Sequence, residues 1–469
     1  MADLKQRGLE EVKALSVEEA VEIIRQAGIV GAGGGGFPTY FKYKSPLPHL
    51  LVNATESEPG YWGDKLVHKE HLEEFLQLFD ALKTIFGFEQ ISFCVHEKDR
   101  EWFAGYAEHA GEGVFDVRYV PNTYALGEEK TLVKHATETR VPRFVDNPDG
   151  TRRPGMPPDV GKVVNNTESL LNVYNALFLG KPLTTKFFTV YGEEVDTKVF
   201  EVPIGASVSE VLGIAGMDVE NSGHLKVLDG GPYLHDVSIA ELGTGDAYVR
   251  RMTNSLFVIP HGRQGKEYAE IETECPEEGI VSLVGKVSGV NLPLGGGLLK
   301  PATPLISEGD EVEYEQKIGE PVDEGFSVGV WASIGGEISS LQNGIVAISG
   351  GAIAQEEAEA EAEPTMAGGA QPRGEAEPFS EAGSSSESAS QLFSISGCLI
   401  RIAFGPRARL GSPIRHSRES GNLLRRCSRG SNQKRSAGLR VAAVGEEVEE
   451  DCGDSVWAIF RGEVARLGE

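Results

Sequence analysis

Four short stretches of this sequence hold residues that could bind a polar ligand. They are GAGGGGFPT (31–39), NATESEPG (53–60), YALGEEKTL (124–132) and VVNNTESL (163–170). Together they offer backbone donors, carboxylates and side-chain amides, but no evident nucleophile–base pair and no set of metal ligands. This inventory favours holding a phosphorylated cofactor over direct acid–base chemistry.

The glycine-rich stretch poses the sharpest question. Gly31, Gly33 and Gly36 satisfy the GxGxxG pattern of dinucleotide-binding folds, but that motif follows a strand and opens a helix. Here a helix precedes the glycines, and Pro38 disfavours helical geometry for Phe37. We therefore expect close approach of the backbone to a ligand. A turn needed only for chain reversal remains an alternative, and a plain NAD-linked Rossmann dehydrogenase is disfavoured.

The elements around these stretches predict a three-layer α/β domain. Ser16 and Glu19 form a capping box before a helix that Gly28 ends. LLVNA (50–54) and ISFCV (91–95) are typical of buried strands, and residues 71–87 of an amphipathic helix. In such a fold the three polar stretches would be strand-to-helix loops at the ligand edge of the sheet.

The pattern changes after residue 184. Short alternating strands with one helix from Val208 to Ala215 indicate a small α+β module over 185–260. Residues 280–350 are punctuated by Gly and Pro and predict a small β-sandwich, with 309–321 as a hairpin.

Charge and composition exclude several function classes. The 469 residues carry a net charge of −27, which argues against nonspecific nucleic-acid binding. We expect no membrane span and no secretion signal, because no long uninterrupted apolar window is present. Five scattered cysteines fit a reducing cytoplasm.

The last part of the chain has a different composition. Residues 355–390 are rich in Glu, Ala, Ser and Gly, which predicts disorder. Residues 401–440 hold eleven Lys or Arg residues and one acid, Glu419, and we interpret them as a solvated basic coil. The phrase SPIRHSRESGN (412–422) resembles the translation of a dispersed bacterial intergenic repeat. We expect 355–469 to be a disordered or read-through tail.

The four polar stretches resemble, in the same order, motifs of one flavoprotein family. GAGGGGFPTYFK is similar to the GRGGAGFPTGxK loop of the NADH-binding flavoprotein subunit of respiratory complex I. NATESEPG resembles NADESEPG, GEEKTL resembles GEETAL, and NNTES resembles NNVET. The RnfC proteins of Rnf-type electron-transport complexes and the cobalamin reductases of propanediol-utilising microcompartments look more similar still.

The resemblance continues along the chain and implies its domain order. Residues 202–217 resemble the soluble-ligand-binding β-grasp (SLBB) module, and 301–321 resemble the barrel-sandwich hybrid module. The implied layout is an FMN- and NADH-binding α/β domain over 1–183, an SLBB β-grasp module over 184–265 and a barrel-sandwich β module over 280–350. This order is that of the cobalamin reductases.

The family's FMN site implies specific residues here. The cofactor-binding set is Gly31, Gly33, Gly34, Gly35, Gly36, Lys42, Asn53, Glu56, Glu128, Glu129, Asn165 and Asn166. NADH would lie over the isoalloxazine ring, with Phe37 stacking near a base and Glu58 binding a ribose hydroxyl. Hydride passes between the cofactors themselves, so no catalytic side chain is implied.

Some positions depart from the family pattern. Thr55 replaces an Asp, and Ser45 stands where complex I offers a second aromatic residue. Relatives bind 4Fe-4S clusters through CxxCxxC runs, whereas only Cys275 lies between the β-grasp module and residue 300, so we expect no iron–sulfur cluster. His68 and His71 have helical spacing without a third ligand, which disfavours a metal site.

These observations predict an FMN-dependent NADH dehydrogenase subunit that passes electrons to an iron–sulfur or other electron-transfer partner. We expect a cytoplasmic protein, for which a peripheral position at the inner membrane is open through partner proteins. A non-catalytic adaptor that has lost cluster-based electron transfer is the alternative. The sequence leaves the electron acceptor open.

Overall fold

The computed structural model describes residues 4–44, 47–56, 58–110, 113–232 and 247–350, all within the unit Met1–Gly369. The predicted tail, 355–469, lies outside the described residues. The helices are α1 Leu9–Lys13, α2 Val17–Gln26, α3 Thr39–Lys42, α4 Gly63–Glu70, α5 Leu72–Phe86, α6 Ala104–His109, α7 Glu129–Thr137, α8 Thr167–Tyr174 and α9 Val208–Ile214. No helix in these ranges is long and apolar enough to cross a bilayer.

The strands follow in chain order. They are β1 His49–Ala54, β2 Gln90–His96, β3 Asp116–Val120, β4 Phe144–Asp146, β5 Arg152–Pro154, β6 Lys162–Asn166, β7 Thr185–Gly192, β8 Lys198–Pro203, β9 Leu225–Asp229, β10 Ser255–Pro260, β11 Ile280–Ser282, β12 Gly289–Pro293, β13 Thr303–Pro304, β14 Glu311–Val312, β15 Lys317–Glu320, β16 Val330–Trp331, β17 Gly336–Gln342 and β18 Ile345–Ser349.

A parallel sheet in the order β3-β2-β1-β6 forms the centre of the N-terminal part. Side chains alternate across β1, so Leu50 and Val52 face the core that α2, α5 and α8 cover. Leu51 faces the opposite core, which Leu132 of α7 helps to fill. Helices on both faces of a parallel sheet confirm the predicted three-layer α/β arrangement.

The second sheet has the order β11-β8-β7-β10-β9. β7 and β8 form an antiparallel hairpin, α9 follows, and β10 returns parallel to β7, which agrees with the predicted β-grasp pattern. β11 pairs with β8, so this sheet reaches past residue 265 and takes in residues that the sequence assigned to the next module.

The third part contains two small sheets, β12-β18-β17-β14 and β13-β15-β16. The prediction of a hairpin over 309–321 is wrong, because β14 pairs with β17 whereas β15 pairs with β13 and β16. Glu315 has a left-handed φ of 61° in the turn between β14 and β15. That turn sends the chain from one sheet to the other.

The third part packs directly on the end of α2. Gly28 has φ +87° and ends the helix as predicted, but a Cβ there would also lie 2.6 Å from the Gly329 carbonyl oxygen. The Trp331 indole nitrogen donates to the Gln26 carbonyl oxygen at 2.8 Å. This glycine therefore serves both the helix end and a close contact between distant segments.

Candidate functional site

A cavity of about 340 Å³ opens at the carboxyl edge of the parallel sheet. β1 continues towards β2 on one side, while β6 lies on its other side, so the chain connections diverge at this edge. Asn53 at the end of β1 and Asn166 at the end of β6 are register partners, and both line the cavity. Such a divergence point is where open α/β sheets bind ligands.

The glycine-rich stretch forms one wall of this cavity as a tight loop. Its ends are joined by a β-bridge between Val30 and Pro38, and the Gly31 amide donates to the Phe37 carbonyl oxygen at 2.7 Å. The Ala32 amide donates to the Ser169 hydroxyl at 2.9 Å, which fixes the loop against α8. The loop therefore has one defined position beside the sheet edge.

The glycines divide by function. Gly31, Gly33 and Gly35 line the cavity, whereas Gly34 and Gly36 have left-handed φ angles of +91° and +56°. A Cβ on Gly35 would meet no protein atom within 4 Å and would project from the cavity wall, whereas one on Gly36 would lie 2.7 Å from Met252 Cε. Backbone conformation and packing, rather than ligand contact, explain Gly34 and Gly36.

Lys42 brings a positive charge to the cavity, as predicted. Its Nζ donates to Glu129 Oε1 at 2.8 Å and to the Val164 carbonyl oxygen at 2.6 Å. Lys130 also lines the cavity. Sequence reasoning missed this second lysine, which directly follows the two predicted glutamates.

Asn53 is held in place by the residue that departs from the family pattern. The Thr55 hydroxyl lies 2.7 Å from Asn53 Oδ1 and 2.9 Å from the Leu126 carbonyl oxygen, while Asn53 Nδ2 donates to the Gly127 carbonyl oxygen at 3.2 Å. Thr55 therefore connects the loop after β1 to the turn before α7.

The predicted carboxylates are present but are partly engaged by the backbone. Glu128 caps α7 by accepting from the Thr131 amide at 2.8 Å, and Glu56 accepts from the Glu58 amide at 2.7 Å. Glu56, Glu128 and Glu129 all line the cavity. Their carboxylates thus orient the loops as well as the electrostatic field inside the cavity.

The structure separates the two predicted asparagines. Asn166 lines the cavity and accepts from the Ser169 amide at 3.2 Å. Asn165 points to the opposite face of β6, where it is buried and donates its side-chain amide to the Tyr43 hydroxyl. Since neighbouring residues of a strand face opposite sides, only Asn166 reaches the cavity, and Asn165 supports the sheet beneath it.

The two residues predicted for NADH also lie apart. Phe37 lines the cavity and packs edge to face against Phe326 and Phe41, with ring centroids 5.3 and 5.9 Å away. Glu58 is buried and lines a different groove, where a Cβ on Gly231 would lie only 2.4 Å from its Cγ. Glu58 therefore does not face the cavity, because the turn after Glu56 directs it towards the β-grasp segment.

One cavity residue was missed although it lies close to a recognised motif. Asp64, at the start of α4, lines the cavity and is buried. Burial raises the pKa of Asp64 well above its usual value, and the nearby carboxyls of Glu56 and Glu168 raise it further. An acid in the first turn of a helix after NATESEPG was the available signal.

The described cysteines and histidines form no metal centre. Cys94 is buried in β2, and Cys275 lies partly buried in the segment before β11. His68 is buried among aromatic rings, and His71 lies 3.4 Å from Glu74. In the described ranges no three Cys, His, Asp or Glu residues could hold a metal ion. The expected lack of an iron–sulfur cluster stays a prediction.

Residues 24–175 match the family model of the Nuo51 FMN-binding domain. The resemblance drawn from the four motifs is confirmed. Every residue that the sequence assigned to FMN or NADH lies inside this matched segment.

Curated relatives extend the similarity beyond the FMN-binding domain. The chain is 30% identical over 266 residues to the cobalamin reductase PduS of Citrobacter freundii, covering 56% of this chain and 54% of that protein. It is 31% identical over 182 residues to the RnfC-type component of the ion-translocating oxidoreductase complex of Vibrio cholerae, covering 38% of this chain and 22% of that protein. The chain thus spans about half the length of the cobalamin reductase.

Among solved structures, the chain is similar to the NAD+-reducing [NiFe]-hydrogenase in the H2-reduced state. The sequence identity is 19% and the TM-score is 0.44, with 54% of this chain and 48% of that chain covered.

Proposed function

We propose that this protein is an FMN-dependent subunit that oxidises NADH and passes electrons to a partner protein. The observation that supports it best is the coincidence of two results. The Nuo51 FMN-binding model matches 24–175, and the cavity at the sheet edge is lined by residues from all four motifs of that segment.

The residues of the cavity fit a flavin nucleotide. Gly33 and Gly35 leave the wall free of side chains, Asn53 and Asn166 offer amides on adjacent strands, and Lys42 with Lys130 supplies positive charge for a phosphate. The cavity volume of about 340 Å³ lies within the range of small-molecule sites. When bound, FMN supplies the capacity to accept a hydride and to release its electrons singly.

The nucleotide donor would enter past the aromatic residues at the cavity wall. Phe37 lines the cavity and Phe41 is 45% exposed, so an aromatic surface borders the cofactor site. Phe326 joins this cluster from the third part of the chain. An aromatic surface suits stacking of a nicotinamide or adenine ring.

We infer that the electrons leave through an iron–sulfur or other electron-transfer partner. The relatives named above include a component of an ion-translocating oxidoreductase complex and a cobalamin reductase. A peripheral position at the inner membrane, held by partner proteins, is consistent with this proposal.

An absorbance spectrum of the purified full-length chain tests the proposal. We expect a yellow protein, or one that becomes yellow with added FMN, and anaerobic NADH should bleach the flavin band. A chain that stays colourless after incubation with excess FMN would contradict the proposed function.

A non-catalytic adaptor is the second candidate. The acid-rich cavity favours it, because Glu56, Asp64, Glu128 and Glu129 outnumber the two lysines that line the same space. An adaptor would form a stable complex with an electron-transfer protein without holding flavin. NADH-dependent reduction of a dye by the FMN-loaded chain would exclude this candidate.

A further inference from the structure

A chain of hydrogen bonds runs from the interior of the α/β domain to the cavity. The Tyr106 hydroxyl lies 2.9 Å from His68 Nδ1 and 3.1 Å from the His68 carbonyl oxygen. The Thr167 hydroxyl lies 2.8 Å from His68 Nε2 and also hydrogen-bonds the Asp64 carboxyl. Asp64 is the member of this chain that lines the cavity.

The chain has a direction, because each hydroxyl has a single hydrogen to donate. A carbonyl oxygen only accepts, so Tyr106 donates its hydrogen to the His68 carbonyl oxygen. His68 Nδ1 must then carry the ring hydrogen and donate to the Tyr106 oxygen, which leaves Nε2 as an acceptor. Thr167 therefore donates to Nε2, and its oxygen can only accept from Asp64.

A neutral imidazole agrees with the surroundings of His68. The ring is fully buried, with its centroid 4.4 Å from that of Phe75 and 4.9 Å from that of Phe93. Burial lowers the pKa of His68 to about 3, and the nearby His71 lowers it further. The imidazole is thus neutral at physiological pH, as the direction of the chain requires.

We propose that Asp64 is a neutral carboxylic acid whose proton is fixed by the Tyr106–His68–Thr167 chain, and that it presents a hydrogen-bond donor to the cofactor in the cavity. The inference deepens the proposed function and rests on it for the identity of the ligand. A neutral donor suits an uncharged carbonyl or ring nitrogen of a flavin, whereas an ionised carboxylate would repel an electron-rich cofactor.

The charged groups around Asp64 support this protonation state. Glu56 in the preceding loop and Glu168 on α8 are carboxyls, and both disfavour a further negative charge. Lys186 on β7 favours the ionised form, but its Nζ bonds directly to Glu168, and both side chains are almost fully buried. Tyr61 is also buried nearby, and its pKa is raised by burial and by Asp64.

Infrared difference spectroscopy of the full-length apoprotein tests the protonation state without any cofactor. Wild type minus Asp64→Asn at pH 7 should show the carbonyl band of a protonated carboxylic acid. Bands of an ionised carboxylate in its place would overturn the proposal. The Asn side chain keeps the size of Asp64 and is neutral, so this variant should fold.

Thr167→Val tests the direction of the chain in the same spectra. Removing an acceptor of the Asp64 hydrogen should lower the pH at which the acid band disappears. If Thr167 instead donates to an ionised carboxylate, the transition will move to higher pH and the assigned direction is wrong.

FMN titration tests the role of Asp64 in binding. At pH 7 we expect the dissociation constant of Asp64→Asn to lie within about threefold of wild type, while Asp64→Leu should bind at least about tenfold more weakly because the polar contact is lost. Tenfold tighter binding by Asp64→Asn, or equal binding by Asp64→Leu, would overturn the donor role. If wild type binds no FMN, the proposed function fails, whereas the infrared result still decides the protonation state.

Discussion

Nζ of Lys42 lies 2.8 Å from Oε1 of Glu129, although 87 positions separate the two residues in the chain. The contact joins α3 to the first turn of α7 at the edge of the cavity. The Lys42 side chain is 15% exposed and that of Glu129 38%, so the pair is partly shielded from water. Lys42 is therefore oriented before any ligand enters.

Replacing Lys42 with Met should weaken FMN binding by at least about tenfold. The change removes a cation and leaves the Glu129 carboxylate without this partner beside an anionic phosphate. Quenching of FMN fluorescence on titration with protein measures the affinity. Lys266→Met, at an exposed lysine remote from the cavity lining, is the matched control. Equal affinities for the two variants would contradict this role of Lys42.

Two substitutions in the glycine loop should have opposite effects. Gly35→Val should abolish FMN binding with little change in the free energy of unfolding, because its side chain meets no protein atom and enters the cavity. Gly34→Ala should cost about 1–2 kcal/mol of stability, since Gly34 has φ +91° and an alanine is strained there. Urea unfolding and FMN titration of both variants separate the effects. A stability loss in Gly35→Val as large as in Gly34→Ala would disprove the division.

The buried His68 should make the protein sensitive to acid. Its pKa is about 3 in the native state because burial disfavours the charged ring, against roughly 6.5 when unfolded. As pH falls below about 6.5, only the unfolded chain takes up this proton, so stability is lost between about pH 6.5 and 3.

At pH 5 the loss from His68 should reach about 2 kcal/mol. His68→Gln cannot titrate, so its stability should fall less steeply between pH 8 and pH 5 than that of wild type, as measured by urea unfolding. His261→Gln, at an exposed histidine, should follow the wild-type curve. Parallel curves for wild type and His68→Gln would rule out a neutral buried imidazole.

The ion pair between Glu168 and Lys186 lies under the cavity, with both side chains 1% exposed. Lys186→Met should destabilise the protein by about 3–5 kcal/mol, because it leaves a buried carboxylate without its cation. Adding Glu168→Gln should recover most of this loss, since Gln is neutral and can still accept from the Phe187 amide, which lies 3.0 Å from Glu168 Oε1. Chemical unfolding of the single and double variants forms the test. A double variant no more stable than Lys186→Met would refute the argument.

Phe326→Ala should weaken NADH binding several-fold more than it weakens FMN binding. Phe326 packs against Phe37 and Phe41, with ring centroids 5.3 and 5.0 Å away, but does not line the cavity itself. Stopped-flow reduction of the FMN-loaded protein at varied NADH concentration gives the donor affinity. Phe144→Ala, at a ring that is 50% exposed, serves as the control. An equal loss of FMN affinity would show that Phe326 supports the cavity rather than the donor.

Much of the α/β domain follows from local sequence. The capping box of Ser16 and Glu19 starts α2 as predicted, and the apolar stretches at 50–54 and 91–95 form the parallel strands β1 and β2. These features depend on hydrogen bonds and apolar periodicity within a few residues. They could therefore be predicted without knowledge of distant contacts.

Contacts between distant residues could not be predicted in this way. The segment 309–321 has the composition of a hairpin, yet its two strands join different sheets. Phe326 reaches the aromatic cluster from a part of the chain almost 300 residues after Phe37. Pairing partners are chosen by the packing of whole sheets, and no short stretch contains that information.

For the site, the sequence alone determined which chemical groups are available: glycines without side chains, amides, carboxylates and lysines in four motifs. Only the tertiary structure decided which of them share the cavity. It turned Asn166 inward and Asn165 away, directed Glu58 to another groove, and brought Asp64 to the cavity through Thr167 and His68. The physical reason is that side-chain direction depends on strand register and buried hydrogen bonds, which exist only once the distant segments have packed together.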